Sequence, residues 1–493
     1  MKRIFIAAAF IATSVFTGSA VAQEVKRLTF DEVIKISEEQ SPQALMAKHR
    51  YRASYWQFRS YQAQFRPTLI LTGTIPAYSS GYDKIYNSVT NEYQYIPKNI
   101  ITNTGTLSLA QAIGFSGTTI SLQSSLLHQY DYEQNVGQFL TTPLSVVVNQ
   151  PIRQYNTLRW QTKIEPLKYE TAKKTFLSNI EAVHTSAVQS FFALALAQIN
   201  KQIAVMNLSN ADTLYRIAKG RYQLGTISED ELLQMQLSYL NAVTESKQAD
   251  MNLRDREIRL RSFLGYNENV RIELIIPNEV PDLQVKTAEV LDLAMKNNPD
   301  ILTQQLNVVT AQSNVAQARA AKGFNASLQA SMGITASGVD LPTSLDNPSR
   351  SQSINIGFTM PILDWGRGKG NYRMAQSSLE LTNVQVQQAL TDFEQNLFLD
   401  VEQFNLQRDQ VAIAAKSDTV AMRMFEVTKQ RFMIGKIAIL DLNNADTKKD
   451  QNRRAYVQAL QDYWTYFYNI RTLALFDFIN RKNLETDYER LLR

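Results

Sequence analysis

The chain has 493 residues, no cysteine, and a formal charge of +5 in which basic residues are interspersed with acidic ones. This charge pattern gives no support to nucleic-acid binding. The lack of cysteine excludes disulfides and thiolate metal sites. His49, His128 and His184 are isolated in the sequence and lack the spacing of metal ligands, so no cofactor is expected.

The first 22 residues predict a secretory signal peptide. A charged start is followed by an apolar stretch over 4–16 and by the small residues of a cleavage site over 20–22. The apolar stretch is shorter than the roughly 20 residues that a membrane-spanning helix needs. We therefore expect an exported chain whose mature part begins at Gln23, with a charge of +3 once Lys2 and Arg3 are removed.

Two matching sequences predict helix starts. Ser41 and Asn298 are each followed by proline, and a polar N-cap followed by proline is typical of the first turn of a helix. The two helices are predicted over about 42–66 and 299–322.

Alternation of apolar and polar residues predicts strands in two segments, about 68–152 and 325–361. Four strands are predicted in the first segment, and its tyrosine-rich stretch over 78–95 is predicted as a connecting loop. The same alternation is typical of a membrane barrel and of a soluble sandwich. The residues also leave open whether all four strands of the first segment join one sheet or one hairpin folds aside.

The apolar positions after each β segment recur at steps of three and four residues, which predicts long amphipathic helices of coiled-coil type. In the first copy these positions are Phe176, Ile180, Val183, Ala187, Phe191 and Leu194. A helix over about 156–222 is about 100 Å long at 1.5 Å per residue, a length that a duct or a rod needs and a compact domain does not. Each long helix ends at a glycine turn, Gly225 or Gly435, and a second helix returns.

The chain contains two copies of this layout. Pro151 recurs as Pro361 and Gly225 as Gly435, both at an offset of 210 residues, which indicates a duplicated domain. The predicted divisions are a signal peptide (1–22), repeat 1 (23–266), a linker (267–286), repeat 2 (287–478) and a C-terminal tail (479–493).

In this order and spacing, the chain resembles the TolC family of outer-membrane efflux ducts, the outer membrane factors of tripartite export systems. The resemblance is carried by the signal peptide, the two copies, the two glycine turns, and Gln150-Pro151-Ile152 and Met360-Pro361-Ile362 where strands pass into helices. It implies a mixed fold of α and transmembrane β. The long helices would form a periplasmic α-barrel tunnel, and the strands would join one β-barrel shared by a homotrimer in outer-membrane lipid.

The strand count of that shared barrel has two alternatives. A chain with so few strands cannot close a barrel alone, because about eight strands is the practical minimum and open edges are not tolerated in lipid. Three chains with four strands each would give twelve strands. If the extra hairpin of repeat 1 joins, the count becomes eighteen.

The resemblance further implies that the glycine turns form a periplasmic tip that docks an adaptor protein. The matching residues are Leu224, Gly225, Thr226, Ile434, Gly435 and Lys436. The alternative is an ordinary helical hairpin, which needs glycine whatever its partner.

The resemblance places an aperture near the second turn. The candidate residues for this aperture and its gate are Asp441, Asn444, Asp230 and Glu231. Around a threefold axis, Asp441 would form a ring of three like charges that attracts cations. The alternatives are stabilisation of the helix dipole by Asp441 and capping by Glu231. Phe432 and Ile437 depart from the family pattern of gate hydrogen bonds.

The sequence therefore predicts a passive outer-membrane channel rather than an enzyme, since it contains no catalytic cluster. Its predicted partners are a periplasmic adaptor and an inner-membrane pump, with no nucleic acid. One alternative is the outer-membrane duct of a type I protein secretion system. An alternative of another class is a soluble periplasmic coiled-coil scaffold.

Overall fold

A computed structural model describes residues 25–266, 270–277, 279–434, 436–437 and 439–492. The predicted signal peptide and Gly435 lie outside these ranges. The chain forms two compact units, and each takes segments from both predicted repeats. Unit 1 comprises the residues up to Ala44, Val183–Asp282 and Gln407–Thr465, and unit 2 comprises Leu45–Ala182, Leu283–Leu406 and the residues from Tyr466 onward.

The helices of the two copies have matching lengths. They are α1 (Phe30–Gln40), α2 (Pro42–Ala63), α3 (Thr157–Gln223), α4 (Glu229–Leu264), α5 (Thr287–Asn297), α6 (Pro299–Ala321), α7 (Arg367–Met433), α8 (Ile439–Ala474) and α9 (Tyr488–Leu492). Both α3 and α7 have 67 residues, and both α4 and α8 have 36. A short 3-10 turn spans Thr343–Leu345.

The strands form one large sheet and two small ones. They are β1 (Val25–Thr29), β2 (Thr68–Asn87), β3 (Glu92–Ile113), β4 (Thr118–Asp131), β5 (Val136–Arg153), β6 (Arg271–Ile275), β7 (Asn325–Gly338), β8 (Ser349–Thr359), β9 (Phe476–Asp477) and β10 (Lys482–Asn483). The large sheet is antiparallel in the order β2-β3-β4-β5-β7-β8. All four strands of the first predicted β segment therefore join one sheet, and no hairpin folds aside.

The predicted helix starts are confirmed. The Ala44 amide donates to Ser41 Oγ at 3.1 Å, and the Asp300 amide donates to Asn298 Oδ1 at 2.8 Å. Each hydrogen bond satisfies a backbone donor that the first turn of a helix leaves free. The first of the two helices ends at Ala63, three residues before the predicted boundary.

The prediction of a tyrosine-rich loop over 78–95 is wrong, because all of these residues except the turn 88–91 belong to β2 and β3. Tyr86 pairs with Tyr93 across the strands, with ring centroids 5.2 Å apart, and Lys84 lies over the Tyr93 ring at 4.4 Å. Aromatic residues favour strands, and cross-strand aromatic pairs stabilise them. The β3–β4 pairing stops at Ile100, so residues 80–99 form a two-stranded ribbon that extends past β4.

The two faces of the large sheet differ in polarity. One row of directly paired residues crosses five strands and is apolar: Leu69, Leu109, Leu122, Val146 and Met332. The next row is polar from β3 to β8: Ser108, Gln123, Ser145, Gly333 and Ser351. Every residue of the apolar row is exposed. An outward apolar face and an inward polar face are typical of strands in a membrane barrel.

Aromatic side chains form the core of unit 1. The ring of Phe30 lies 5.3 Å from that of Phe191 and 4.7 Å from that of Trp464, and Phe191 contacts Phe192 at 5.2 Å. Phe191 and Phe192 are fully buried. These contacts join α1, α3 and α8.

The predicted C-terminal tail packs into unit 2. Tyr488 of α9 lies 5.3 Å from the ring of Tyr51, in a buried cluster that includes Phe176. The Arg52 side chain donates to the carbonyl of Leu491 at 2.6 Å. The tail is therefore a structural part of unit 2.

The predicted linker contains a strand. Within it, β6 pairs in parallel with β1, from Val25 opposite Arg271 to Thr29 opposite Ile275. An ion pair between Arg27 and Glu273 at 2.8 Å lies on this pairing. The segment thus joins the start of repeat 1 to the passage between the copies.

Among the described residues, α3 is the one helix long and apolar enough to cross a membrane by length and composition. Its most apolar window has a mean hydropathy of 1.3, and 56% of that window is buried inside the protein. A core helix meets the same criterion, so this feature does not by itself indicate a membrane helix.

Candidate functional site

The first glycine turn joins α3 to α4 in unit 1. Gly225 has φ +71°, a left-handed conformation that glycine adopts without strain. The Thr226 amide donates to the Arg221 carbonyl at 3.0 Å, and the Thr226 hydroxyl donates to the same carbonyl at 2.9 Å. These contacts close the end of α3 and leave the Leu224 side chain 80% exposed.

The second glycine turn repeats this arrangement. The Lys436 amide donates to the Arg431 carbonyl at 3.0 Å, which is the same hydrogen bond 210 residues later. The Ile434 side chain is exposed, as Leu224 is. Each turn thus presents an exposed apolar side chain.

Two of the four candidate gate residues make local hydrogen bonds at the start of α4. The Glu231 amide donates to Ser228 Oγ at 3.3 Å, and the Ser228 amide donates to the Glu231 carboxylate at 3.1 Å. This is a capping box. Asp230 accepts a hydrogen bond from the Gln234 side chain at 2.9 Å. The alternative interpretation of Glu231, helix capping, is what the structure shows.

Asp441 and Asn444 lie on the exposed face of α8. They are three residues apart and therefore share one side of the helix. Leu442 and Ala445, on an adjacent side of the helix, pack against Phe425 of α7. Within the described part of the chain, the Asp441 carboxylate has no hydrogen bond or ion pair, and none joins it to Asp230. Asp441 is therefore the candidate carboxylate that remains available to a neighbouring molecule or an ion.

The two residues that depart from the family pattern have other surroundings. Phe432 packs against the cluster of Phe425, Leu442 and Ala445, and Ile437 is half-buried. An apolar ring and an aliphatic side chain supply no gate hydrogen bond.

A buried ionic cluster on α8 was not predicted from the sequence. Lys449 is 6% exposed and lies against Asp446, against Asp450 at 3.3 Å, and over the Phe425 ring at 4.1 Å. Asp450 accepts a hydrogen bond from Asn207 of α3 at 2.8 Å. The cluster therefore connects α3, α7 and α8. The run Asp446-Thr447-Lys448-Lys449-Asp450 was a sequence signal for it, since its charges recur at helical spacing.

A stripe of exposed apolar residues on α7 was also not predicted from the sequence. It has one residue every seven positions: Leu399, Leu406, Ile413, Val420 and Val427. Their exposed fractions lie between 49% and 66%. The residues that α7 buries within its own chain, such as Val401 and Phe404, lie on another side of the helix. We call these five residues the α7 stripe; apolar residues that recur every seven positions occupy one of the two positions that form a coiled-coil seam.

A shorter stripe with the same spacing occurs on α4. Leu237, Met251 and Ile258 are exposed at seven- and fourteen-residue separations. Both helical hairpins, α3–α4 and α7–α8, therefore have an apolar side suited to helix packing that the described part of the chain does not cover.

Comparison of the sequence with known families identifies the family of this chain. The profile of the outer membrane efflux protein family matches residues 141–266 and 290–474. Both matched ranges run from the large sheet or α5 to the ends of the helical hairpins, and together they cover more than half of the chain.

The curated relatives have sequence identities of 23–24% to this chain. The chain is 23% identical to the cation efflux system protein CusC of Escherichia coli over 330 residues, which are 64% of this chain and 66% of that protein. It is 24% identical to the probable outer membrane lipoprotein SilC of Salmonella typhimurium, over 54% of this chain and 58% of that protein. The chain thus spans about three fifths of the length of these relatives.

Solved structures share the fold. The CmeC outer membrane channel of Campylobacter jejuni superposes with a TM-score of 0.66 at 16% identity, over 94% of this chain and 88% of that one. The outer membrane protein VceC of Vibrio cholerae gives a TM-score of 0.63 at 15% identity, over 92% and 97%. The fold is that of outer-membrane channels, in which long helices accompany an antiparallel sheet.

Proposed function

The chain belongs to the outer membrane efflux protein family, and we propose that three copies of it form a passive exit duct of a tripartite efflux system. It is an outer-membrane protein and not an enzyme. In the proposed system, a periplasmic adaptor docks on the glycine turns, and an inner-membrane pump supplies the energy. The single observation that carries this proposal is incompleteness: a six-stranded sheet with two free edges cannot enclose a pore.

Two features support assembly with further copies. Unpaired strand edges are not tolerated in lipid, so both edges of the large sheet require partner strands. The α7 stripe fits a partner helix, since burial of its five exposed apolar side chains against a second helix would remove their apolar surface from water. A second copy of the same chain offers both.

We favour efflux over type I protein secretion as the duct's role. The curated relatives include a protein named as part of a cation efflux system. The large sheet has serine, glutamine and glycine on its polar face, which offers no specific site for one cargo. Selection would therefore fall to the pump.

We assign the aperture to Asp441. Three copies of this exposed first-turn carboxylate around an axis would repel one another and attract cations. The adaptor would bind more tightly to an open arrangement than to a closed one. A differential affinity of a few kcal/mol is enough for such a shift.

Asp441→Asn is expected to weaken the block of the channel by divalent cations. Each lost charge removes about 1 kcal/mol of attraction at short range in water, and three are lost per trimer, so the half-blocking concentration should rise about tenfold or more. Single-channel recording in planar lipid films measures this. The matched control is Glu245→Gln, which removes an exposed carboxylate on a different helix, α4, and should leave the block unchanged. Absence of conductance from the unmodified protein would refute the duct itself, and equal block in all three proteins would refute the aperture assignment.

Leu224→Asp together with Ile434→Asp is expected to abolish most export in cells. An apolar anchor at each turn would be replaced by a charge that must be desolvated on docking, which costs several kcal/mol. The readouts are drug or metal tolerance and co-purification of the adaptor. Leu224→Met with Ile434→Met keeps the apolar contact and should retain export. Full export by the aspartate variant, at normal outer-membrane levels, would contradict docking at these turns.

A further inference from the structure

We propose that the outer-membrane barrel of this protein has eighteen strands, closed by β8 of one copy pairing with β2 of the next. The inference rests on the proposed trimer and goes beyond it, because it assigns the residues of the seam between copies and the width of the pore. It makes the β2–β3 hairpin a part of the pore wall.

The order of strands supplies the first argument. In the described part of the chain, β2 and β8 are the outer strands of the large sheet, and each has one edge without a partner. Six alternating strands place β2 and β8 in opposite directions. A β8–β2 seam between copies is therefore antiparallel, like every other pairing in the sheet. Repeated head to tail, this contact closes a ring.

The pairing of the hairpin with the rest of the sheet supplies the second argument. Fourteen successive residue pairs join β3 to β4, from Ile100 opposite Asp131 to Ile113 opposite Thr118, without a register shift. A hairpin that lay outside or inside the barrel would have to break this pairing.

The polarity of the hairpin supplies the third argument. Leu69 of β2 and Leu109 of β3 continue the apolar row formed by Leu122, Val146 and Met332. Three pairs further along the hairpin, Thr72 and Thr106 are paired on the polar face. A hairpin folded outside or inside the barrel would not need an apolar and a polar face that match those of the other four strands. The same alternation reaches the other edge, where Ile354, Ile356 and Phe358 are exposed.

The size of the pore follows. Three copies of six strands make eighteen, and barrel diameter grows roughly linearly with strand number. A twelve-stranded barrel would be about two thirds as wide. Barrels of 16–18 strands leave an aqueous channel, whereas about eight strands are filled by side chains.

Disulfide trapping tests the seam, and the chain lacks cysteine of its own. Leu71→Cys on β2 is combined with a cysteine on β8, scanned over Ile354, Ile356 and Phe358. The matched control combines the same β8 cysteines with Leu122→Cys on β4. Strands lie about 4.8 Å apart, so neither combination can close within one copy, where at least three strand spacings separate the residues.

We expect the β2–β8 variants, oxidised in outer membranes, to form covalent trimers that return to monomers on reduction. The β4–β8 variants should stay monomeric on denaturing gels. Crosslinking of β4 with β8, or no β2–β8 crosslink in trimers that are intact by mass in detergent, overturns the eighteen-strand seam and leaves the proposed duct standing. A protein that is monomeric by mass before oxidation overturns the proposed trimer itself, and the seam with it.

Discussion

Replacing Ile413 and Val420 with aspartate is expected to turn the assembled protein into monomers. Both residues belong to the α7 stripe, and their side chains are 66% and 60% exposed. Packing the stripe against a neighbouring copy would bury two carboxylates per interface without a counter-charge. Each unpaired buried charge costs several kcal/mol, which exceeds what a few apolar contacts of a coiled-coil seam contribute. Mass measurement of the detergent-solubilised protein follows the change from trimer to monomer.

The matched control for the α7 stripe moves the same charges by one residue. Ala412→Asp with Thr419→Asp places them on exposed positions about 100° around the helix, outside the stripe. This variant should remain trimeric. If the stripe variant also remains trimeric, the stripe is not an interface, and the assembly must depend on the sheet edges alone.

Lys449→Met is expected to reduce the free energy of unfolding by about 3–5 kcal/mol, the usual cost of leaving one partner of a buried ion pair uncompensated. Asp450, almost completely buried, would retain only the hydrogen bond from Asn207. The loss should appear in chemical unfolding of the solubilised protein. It should also increase amide exchange in α8, because the cluster connects that helix with α3 and α7.

Two variants separate the charge from the packing at Lys449. Lys448→Met changes an exposed neighbour and should shift stability by less than about 0.5 kcal/mol. Lys449→Met with Asp450→Asn removes the uncompensated charge and should recover much of the loss. Equal stability of the single and double variants would show that the lysine acts through its apolar stem over Phe425 rather than through its charge.

The sequence was most informative about the helices. Ser41 and Asn298 predicted helix starts correctly, because a polar N-cap before proline is a local signal that needs no tertiary contact. The long helix predicted over about 156–222 ends within one residue of α3. Gly225 identified its turn for the same reason, since only the local backbone requires φ above zero there.

Strand pairings and helix contacts between residues distant in the sequence were less predictable. The strand β6 lies in a predicted linker because its pairing with β1 depends on residues about 246 positions away. The loop prediction for Tyr82 and Tyr95 treated a cluster of tyrosines as a mark of a surface loop, whereas cross-strand pairing extends the hairpin through them. The α7 stripe was overlooked because the seam that packs within the chain has the same periodicity on another side of the helix.

The pairing of β1 with β6 has a consequence for biogenesis. During translocation, the first strand emerges long before its partner, and its hydrogen-bonding edge stays bare until residue 271 has crossed. A bare edge invites pairing with other chains. A translocation product arrested between α4 and β6 would thus lack the partner of its first strand and should be prone to aggregation.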